Sequence, residues 1–307
     1  MTRERGPALE LWLPPLAQFA AGGALLNALA RADRLDNGTV GYLNRVAETF
    51  EGAAASLPVG ALTRESIAHD AGNALWLAAD PAWAQPDING IRLMACGHLQ
   101  LDMTESQALA APLLELFAEA GMQLLVSTPE RWHVRLPPVT VLPEFSTPEQ
   151  ALGEDLSRHL PPGPDGKRWR VLLNDVQVLL HQNPINRGRR SRQQPPVNTL
   201  WLWGGGRLPE QVQTRLQAVV TDDLLLGALA ERAGIPSRER SLASIRTATA
   251  GWLIDLQDVP AAEIESSWWP ALLPVLAGTA LVCNFAAGER WVHRPWHRWR
   301  VWRRGER

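Results

Sequence analysis

Apolar positions alternate with period two in some stretches and recur at helical spacing in others, and the two kinds of stretch take turns along the chain. Leu9-Glu10-Leu11-Trp12-Leu13 alternates and stops at Pro14, which predicts a first strand. Leu16 to Ala32 has a helical period with a weak point at Gly22-Gly23. After the turn signal Asp36-Asn37-Gly38, Val40 to Glu51 predicts a second helix. Pro58 to Gly72 reads as a connection with a short helix. Ala74 to Asp80 predicts a strand stopped by Asp80-Pro81, and Ile91 to Leu101 another. Thr104-Glu105-Ser106-Gln107 then has the capping-box pattern of a helix start, and Gly121 ends that helix after Ala120. Met122 to Ser127 and Arg131 to Leu136 predict a strand pair around Thr128-Pro129-Glu130.

The second part repeats this order. Lys167 to Gln182 carries Trp169, Leu172, Leu173, Val176, Leu179 and Leu180 on one helical face. A polar, basic loop follows, then a strand from Thr199 to Trp203, the glycines Gly204-Gly205-Gly206, and Pro209 as a helix opener. Ala218 to Thr221 predicts a strand leading into a helix over Asp222–Ala233. Gly251 to Leu256 predicts a strand, Ala261 to Leu276 a helix, and Thr279 to Phe285 with Arg290 to His293 a hairpin. The expectation is one α/β domain over 1–307, with halves of roughly 1–140 and 165–307 joined by the Pro/Gly-rich stretch Pro161 to Gly166. Thr199–Trp203 and Ala218–Thr221 are expected as neighbours in one central sheet, with Lys167–Gln182 packed on it.

Composition supports a packed core: 46% of the 307 residues are hydrophobic and 20% charged, which is globular usage. The net charge of −2 gives no overall field for nucleic acid or membrane. Charge is nevertheless uneven, with seven Arg and one Glu from Arg290 to Arg307. Cys96 and Cys283 make neither a disulfide framework nor a zinc knuckle, so a reduced, cytoplasmic protein with no secretory leader and no membrane span is expected.

Local chemistry offers several candidates. Gly204, Gly205 and Gly206 after a strand either present backbone N–H groups to a phosphate or let two backbones approach closely. Asn183, Asn186, Arg187 and Asn198 either bind a phosphorylated or sugar-like ligand or stabilise their own loop. With Arg207 these residues are expected to border one anion-accepting cleft. His69-Asp70 reads as a helix-end pair, and His293 and His297 as surface residues. Arg187 to Arg192 reads as a solvated loop. The Trp/Arg interleaving at Trp291, Trp296, Trp299 and Trp302 suits either single-stranded nucleic acid or an edge strand with inward indoles.

Leu180-His181-Gln182-Asn183-Pro184-Ile185-Asn186-Arg187, Pro195-Pro196-Val197-Asn198-Thr199-Leu200-Trp201-Leu202-Trp203-Gly204-Gly205-Gly206 and the continuation from Ala218 to Gly234 are similar to archaeal-type cofactor-independent phosphoglycerate mutases. That resemblance implies an alkaline-phosphatase-like fold: a layered sheet with helices on both faces and antiparallel edge hairpins. Ala74 to Asp80, the Trp201–Gly206 motif and the ending Trp296, Trp299, Arg300, Trp302, Arg303 also resemble the RpfE-type regulatory proteins, a bacterial family with phosphoglycerate-mutase-like character. The enzymes use two divalent metals held by Asp and His beside a Ser or Thr nucleophile. Here Leu13 runs into Pro14-Pro15 where an Asp-Gly motif is expected, and no Asp-His pair follows a later strand. The resemblance therefore implies the fold without the reaction: no metal, no cofactor, and regulation through a protein partner or a phosphorylated small molecule. The alternative is a divergent phosphomutase or phosphatase drawing ligands from Asp80, His98, Asp102, Asp222 and Asp223. A nucleic-acid-binding module comes third.

Overall fold

The computed structural model describes residues 7–52, 57–88 and 90–300. Their contacts fall into two compact units, one made of 1–52 with 211–307 and the other of 53–210. The division does not fall at Pro161–Gly166, because the first strand of the chain is sandwiched between two strands from its last third.

The first unit holds a seven-stranded sheet in the order β2-β12-β11-β1-β10-β8-β9. Its strands are β1 (Leu9–Leu13), β2 (Asp33–Arg34), β8 (Ala218–Val220), β9 (Ser237–Arg238), β10 (Trp252–Asp255), β11 (Leu281–Phe285) and β12 (Arg290–His293). Strands β11, β1, β10, β8 and β9 run parallel, and the β11–β12 hairpin adds an antiparallel edge carrying β2. The helices are α1 (Ala24–Leu29), α2 (Tyr42–Thr49), α8 (Leu224–Arg232), α9 (Leu242–Arg246), α10 (Ala261–Glu263) and α11 (Trp269–Leu276). A π turn over Ile264–Trp268 joins α10 to α11, so the helix expected over 261–276 is continuous.

Alternation decides which face each residue serves. Leu9, Leu11 and Leu13 bury with Leu281, Cys283 and Phe285 against Leu25 of α1 and Trp269, Leu272 and Leu276 of α11. Each such leucine contributes about 2 kcal/mol through burial. Trp12 points to the other face, where Tyr42 meets it edge-on and Arg45 lies 4.8 Å above its ring. Helices therefore cover both faces, as a parallel sheet requires.

The second unit is antiparallel. Its spine is the long β3 (Leu75–Asp87), with β7 (Thr199–Gly206) along one edge. β6 (Trp132–Leu136) and β4 (Gly90–Cys96) follow one another along the opposite edge, and β5 (Gln123–Val126) lies outside β6. The helices are α3 (Val59–Ala68), α4 (Met103–Glu119), α5 (Pro148–Ala151), α6 (Gly163–Gln182) and α7 (Pro184–Ser191). Trp169, Leu172, Leu173, Val176 and Leu180 of α6 bury with Leu200 and Leu202 of β7, together with Leu109, Leu113 and Phe117 of α4.

This arrangement corrects several expectations. The strands at Thr199–Trp203 and Ala218–Thr221 are not neighbours: β7 pairs with β3 in one unit and β8 with β10 in the other. Only the packing of α6 on β7 holds. No turn brings the chain back after Trp203, because the glycines continue the strand, and no helix opens at Pro209. Asp102 caps α4 two residues earlier than the Thr104 pattern suggested, accepting from Glu105 N at 2.7 Å. The stretch expected as a basic loop is largely α7, with Arg189 fully buried and bonded to Glu105 at 2.7 Å. Among the described residues no helix is long and apolar enough to cross a membrane.

Candidate functional site

The residues expected to border an anion cleft lie on α7 and along or beside β7. Asn183 caps α7, accepting from Ile185 N at 3.0 Å and donating to Ala108 O at 3.1 Å. Asn186 is fully buried; its Nδ2 donates to Leu180 O and Val197 O at 2.7 Å each, and its Oδ1 accepts from Val197 N at 2.8 Å. Asn198 pairs with both backbone groups of Ala84, at 2.8 and 2.6 Å, as a neighbouring strand would. Arg187 is exposed on α7. Arg207 is also exposed and donates to the carbonyls of Asn73 and Pro138. Asn198 stands just before β7 and Arg207 just after it, so eight strand residues put about 25 Å between them. The two groups thus stand at opposite ends of the strand.

The glycines are close-approach positions. Gly204 has φ +59°, and it sits in a register irregularity opposite Leu77, as a strand bulge does. A Cβ there would come within 2.6 Å of the Val59 side chain, and one on Gly206 within 2.6 Å of Pro58. The start of α3 thus rests directly on the end of β7.

Asn186→Ala is expected to cost about 2 kcal/mol, because Val197 N and O lose the amide and Leu180 O keeps only its bond from Asn183 N. Urea unfolding measures this; a loss under about 0.5 kcal/mol would mean that the amide is not structural.

The carboxyl edge of the parallel sheet is the usual place for a site in open α/β folds. Here β1 ends at Leu13, β8 leads to Thr221-Asp222-Asp223, and β10 ends at Asp255. Asp255 is buried, accepting from Thr221 Oγ1 at 3.0 Å and Gln257 N at 3.3 Å. Burial, and then the charge of Asp223, push its pKa up to about 6. Asp223 caps α8 through Leu226 N at 2.8 Å and accepts from the Tyr42 hydroxyl. Arg240 spans the remaining acids: Nε donates to Asp222 at 3.1 Å, Nη2 to Asp258 at 2.9 Å, and Nη1 to the Asp255 carbonyl at 3.2 Å. The bond to Asp258, foremost, raises the Arg240 pKa above its ordinary value.

Two catalytic metals bring roughly six to eight ligands. Among the described residues no group of three or more His, Cys, Asp or Glu side chains is placed to hold a metal ion. Asp222 and Asp258 are already bridged by a guanidinium, so the residues at this edge do not fit a two-metal centre. Of the other ligands considered, Asp80 is buried against Arg131 at 2.7 Å and Trp203 Nε1 at 2.8 Å. Asp102 caps α4, and His98 is exposed, 3.9 Å from Glu130. These three belong to the second unit, and Asp222 and Asp223 to the first.

Sequence reasoning missed His133. The Thr63 hydroxyl donates to Val59 O at 2.7 Å, so His133 Nε2 donates to Thr63 Oγ1 at 2.8 Å, and Nδ1 accepts from Ser127 Oγ at 2.7 Å. Burial, with the charges of Arg131 and Arg64, lowers the His133 pKa to about 3. A ring with both nitrogens used and so low a pKa is a structural strut. The tail also departs from expectation. Residues Pro295–Trp299 form a 3-10 turn rather than a strand, and His297 is fully buried beside Asp33. Trp296 and Trp299 stay exposed under Arg294 and Arg298. Trp302 lies outside the described residues.

No family model matches the chain. Local sequence similarity links it to 2,3-bisphosphoglycerate-independent phosphoglycerate mutases. Identity to the Methanosarcina mazei protein of that name is 33% over 67 residues, 22% of this chain and 17% of that one. A probable mutase of Geobacter sulfurreducens is 35% identical over 71 residues, 23% of this chain and 17% of that one. The matched segment thus spans less than a fifth of these relatives. Among solved structures, a Pyrococcus horikoshii protein matches over 94% of this chain and 87% of its own, at 12% identity and a TM-score of 0.50. A cofactor-independent phosphoglycerate mutase from Thermoplasma acidophilum covers 94% and 90% at 12% identity, with a TM-score of 0.43. A segment of the chain is homologous to part of these mutases, and the chain has a mixed α/β fold shared with the Pyrococcus horikoshii protein.

Proposed function

We propose that the chain is a non-catalytic, regulatory relative of the phosphoglycerate mutases, of the bacterial RpfE type, acting in the cytoplasm through a partner or an anionic ligand. The observation that carries this reading is Arg240, whose guanidinium joins Asp222, Asp258 and the Asp255 carbonyl at the carboxyl edge. A fixed organic cation there neutralises the acids that a metal would otherwise use. The competing reading, a divergent metal-dependent mutase or phosphatase, draws on the homologous 67-residue segment.

Calorimetric titration with manganese, zinc and magnesium separates the two, run beside turnover assays on phosphoglycerates and an aryl phosphate. The expected result is no stoichiometric metal uptake and no turnover. Uptake of about two metals per chain with matching phosphatase or mutase activity would reverse the ranking.

A further inference from the structure

We infer that the Arg- and Trp-bearing edge of the first unit is a binding surface for single-stranded nucleic acid, with bases on Trp296 and Trp299 and phosphates on the arginines around them. The surface is made by the strand pair β12–β2 and the 3-10 turn Pro295–Trp299, all within that unit. It uses no residue of the Arg240 cluster or of β7.

An edge strand with inward indoles was the other expectation for this stretch, and it holds for one residue only. Trp291, on β12, packs edge-on against Phe285 with 5.4 Å between ring centroids. Trp296 and Trp299 do not follow it into the core and are 58% and 67% exposed. A 3-10 turn has three residues per turn, so side chains three positions apart eclipse, with a rise of about 6 Å between them. The two indoles therefore leave the turn on one side, at a spacing that adjacent bases of an extended strand can match. The Arg294 guanidinium lies 5.5 Å from the Trp296 ring centroid, and that of Arg298 lies 5.1 Å from the Trp299 centroid. Each contact steadies an indole and sets a positive charge beside it.

Charge at this edge is predominantly positive. Residues 31–34 and 294–300 carry five arginines and a single aspartate. That aspartate, Asp33, pairs with Arg294 at 2.8 Å and with Arg300. Arg300 also donates to the Arg31 carbonyl at 3.2 Å, which ties the turn to the chain entering β2. Arg31, Arg34 and Arg298 are exposed, and among the described residues none of the three has a carboxylate in ion-pair range. The whole chain has a net charge of −2, so this concentration leaves the remaining residues acidic, and the field draws a polyanion to this edge. An acidic peptide would satisfy the arginines but offer carboxylates rather than flat rings to the indoles. A duplex hides its base faces in its own stack. A single strand presents phosphates and free base faces together.

The inference goes beyond the proposed function, and its test involves neither metal uptake nor turnover. The full chain is titrated into labelled oligothymidylate and oligouridylate of about 12 nucleotides, read by fluorescence anisotropy. Polyglutamate, a duplex of the same length and phosphatidylglycerol vesicles are the comparison probes. The expected result is saturable binding of one or both single strands, the preferred one naming the sugar. Phosphate contacts from Arg31, Arg34 and Arg298 predict a slope of about −2 for log affinity against log salt. Trp296→Ala and Trp299→Ala should each weaken binding about tenfold at an unchanged melting temperature. Arg298→Gln should flatten the salt slope by roughly 0.7, and the remote Arg207→Ala should bind as the wild type does. No saturable binding at low salt, or binding that both tryptophan variants leave unchanged, overturns the inference. Polyglutamate, duplex or vesicles binding as tightly as the single strands would overturn it too, by assigning the edge to a different partner.

Discussion

Acidification from pH 6.5 towards 3 is expected to remove roughly 4 kcal/mol of the stability attributable to His133. The ring is fully buried, and its pKa in the folded chain is lowered to about 3 by burial, Arg131 and Arg64. In the unfolded chain it titrates near 6.5. Below 6.5 the unfolded state therefore binds a proton that the folded state refuses. The stabilising contribution is complete above 6.5 and is lost as pH falls towards 3. Carboxylates also respond to acid, so the informative quantity is a difference. Urea unfolding at pH 7, 5 and 4 should show a shallower pH slope for His133→Gln than for the wild type. Direct observation of the imidazole is a second check. A His133 resonance that titrates near 6.5 in the folded protein would sink the account.

The strand and helix positions were largely legible because they depend on local pattern. The alternating stretch at Leu9 is β1, and the one-faced stretch at Trp169 is most of α6. What the sequence concealed was pairing. Ala218 to Val220 is apolar throughout, as a buried parallel strand should be. Nothing local says whether its neighbour is β7 or β10, however, and it is β10. Gly204 to Gly206 looked like a turn because three glycines usually break a strand. In the structure they are where Pro58 and Val59 press on it. The helix α7 carried a readable signal in Asn183-Pro184, an N-cap followed by proline at the first helical position. Its arginine-rich composition hid that signal, since burial of Arg189 depends on Glu105, far away in sequence.

The candidate residues were hard to read for a related reason. Asparagines at strand and helix ends have the same composition whether they serve a ligand or the backbone. Asn183, Asn186 and Asn198 all serve the backbone.

Asp255→Asn is expected to stabilise the protein by roughly 3 kcal/mol at pH 8 and to change little below pH 4. Asp255 has its folded-state pKa raised to about 6 from the ordinary 3.8. The folded chain therefore binds this proton more tightly than the unfolded chain does. The favourable contribution is complete below 3.8 and is lost as pH rises through 6. Burial is the larger cause and repulsion from Asp223 the next, so Asp223→Asn should lower the Asp255 pKa without returning it to its ordinary value. The asparagine can still accept from Gln257 N while its amide faces the Thr221 hydroxyl, which keeps the geometry and removes the buried charge. The sign is opposite to that of His133: between pH 4 and 6, raising the pH strengthens the His133 contribution and weakens that of Asp255. Unfolding of the wild type averages the two, whereas amide exchange read segment by segment keeps β10 and β6 apart. Protection in β10 should fall between pH 5 and 8 in the wild type, after correction for intrinsic exchange, and hold steady in Asp255→Asn. Equal slopes in the two proteins would mean that Asp255 is ionised throughout, and the raised pKa would have to be abandoned.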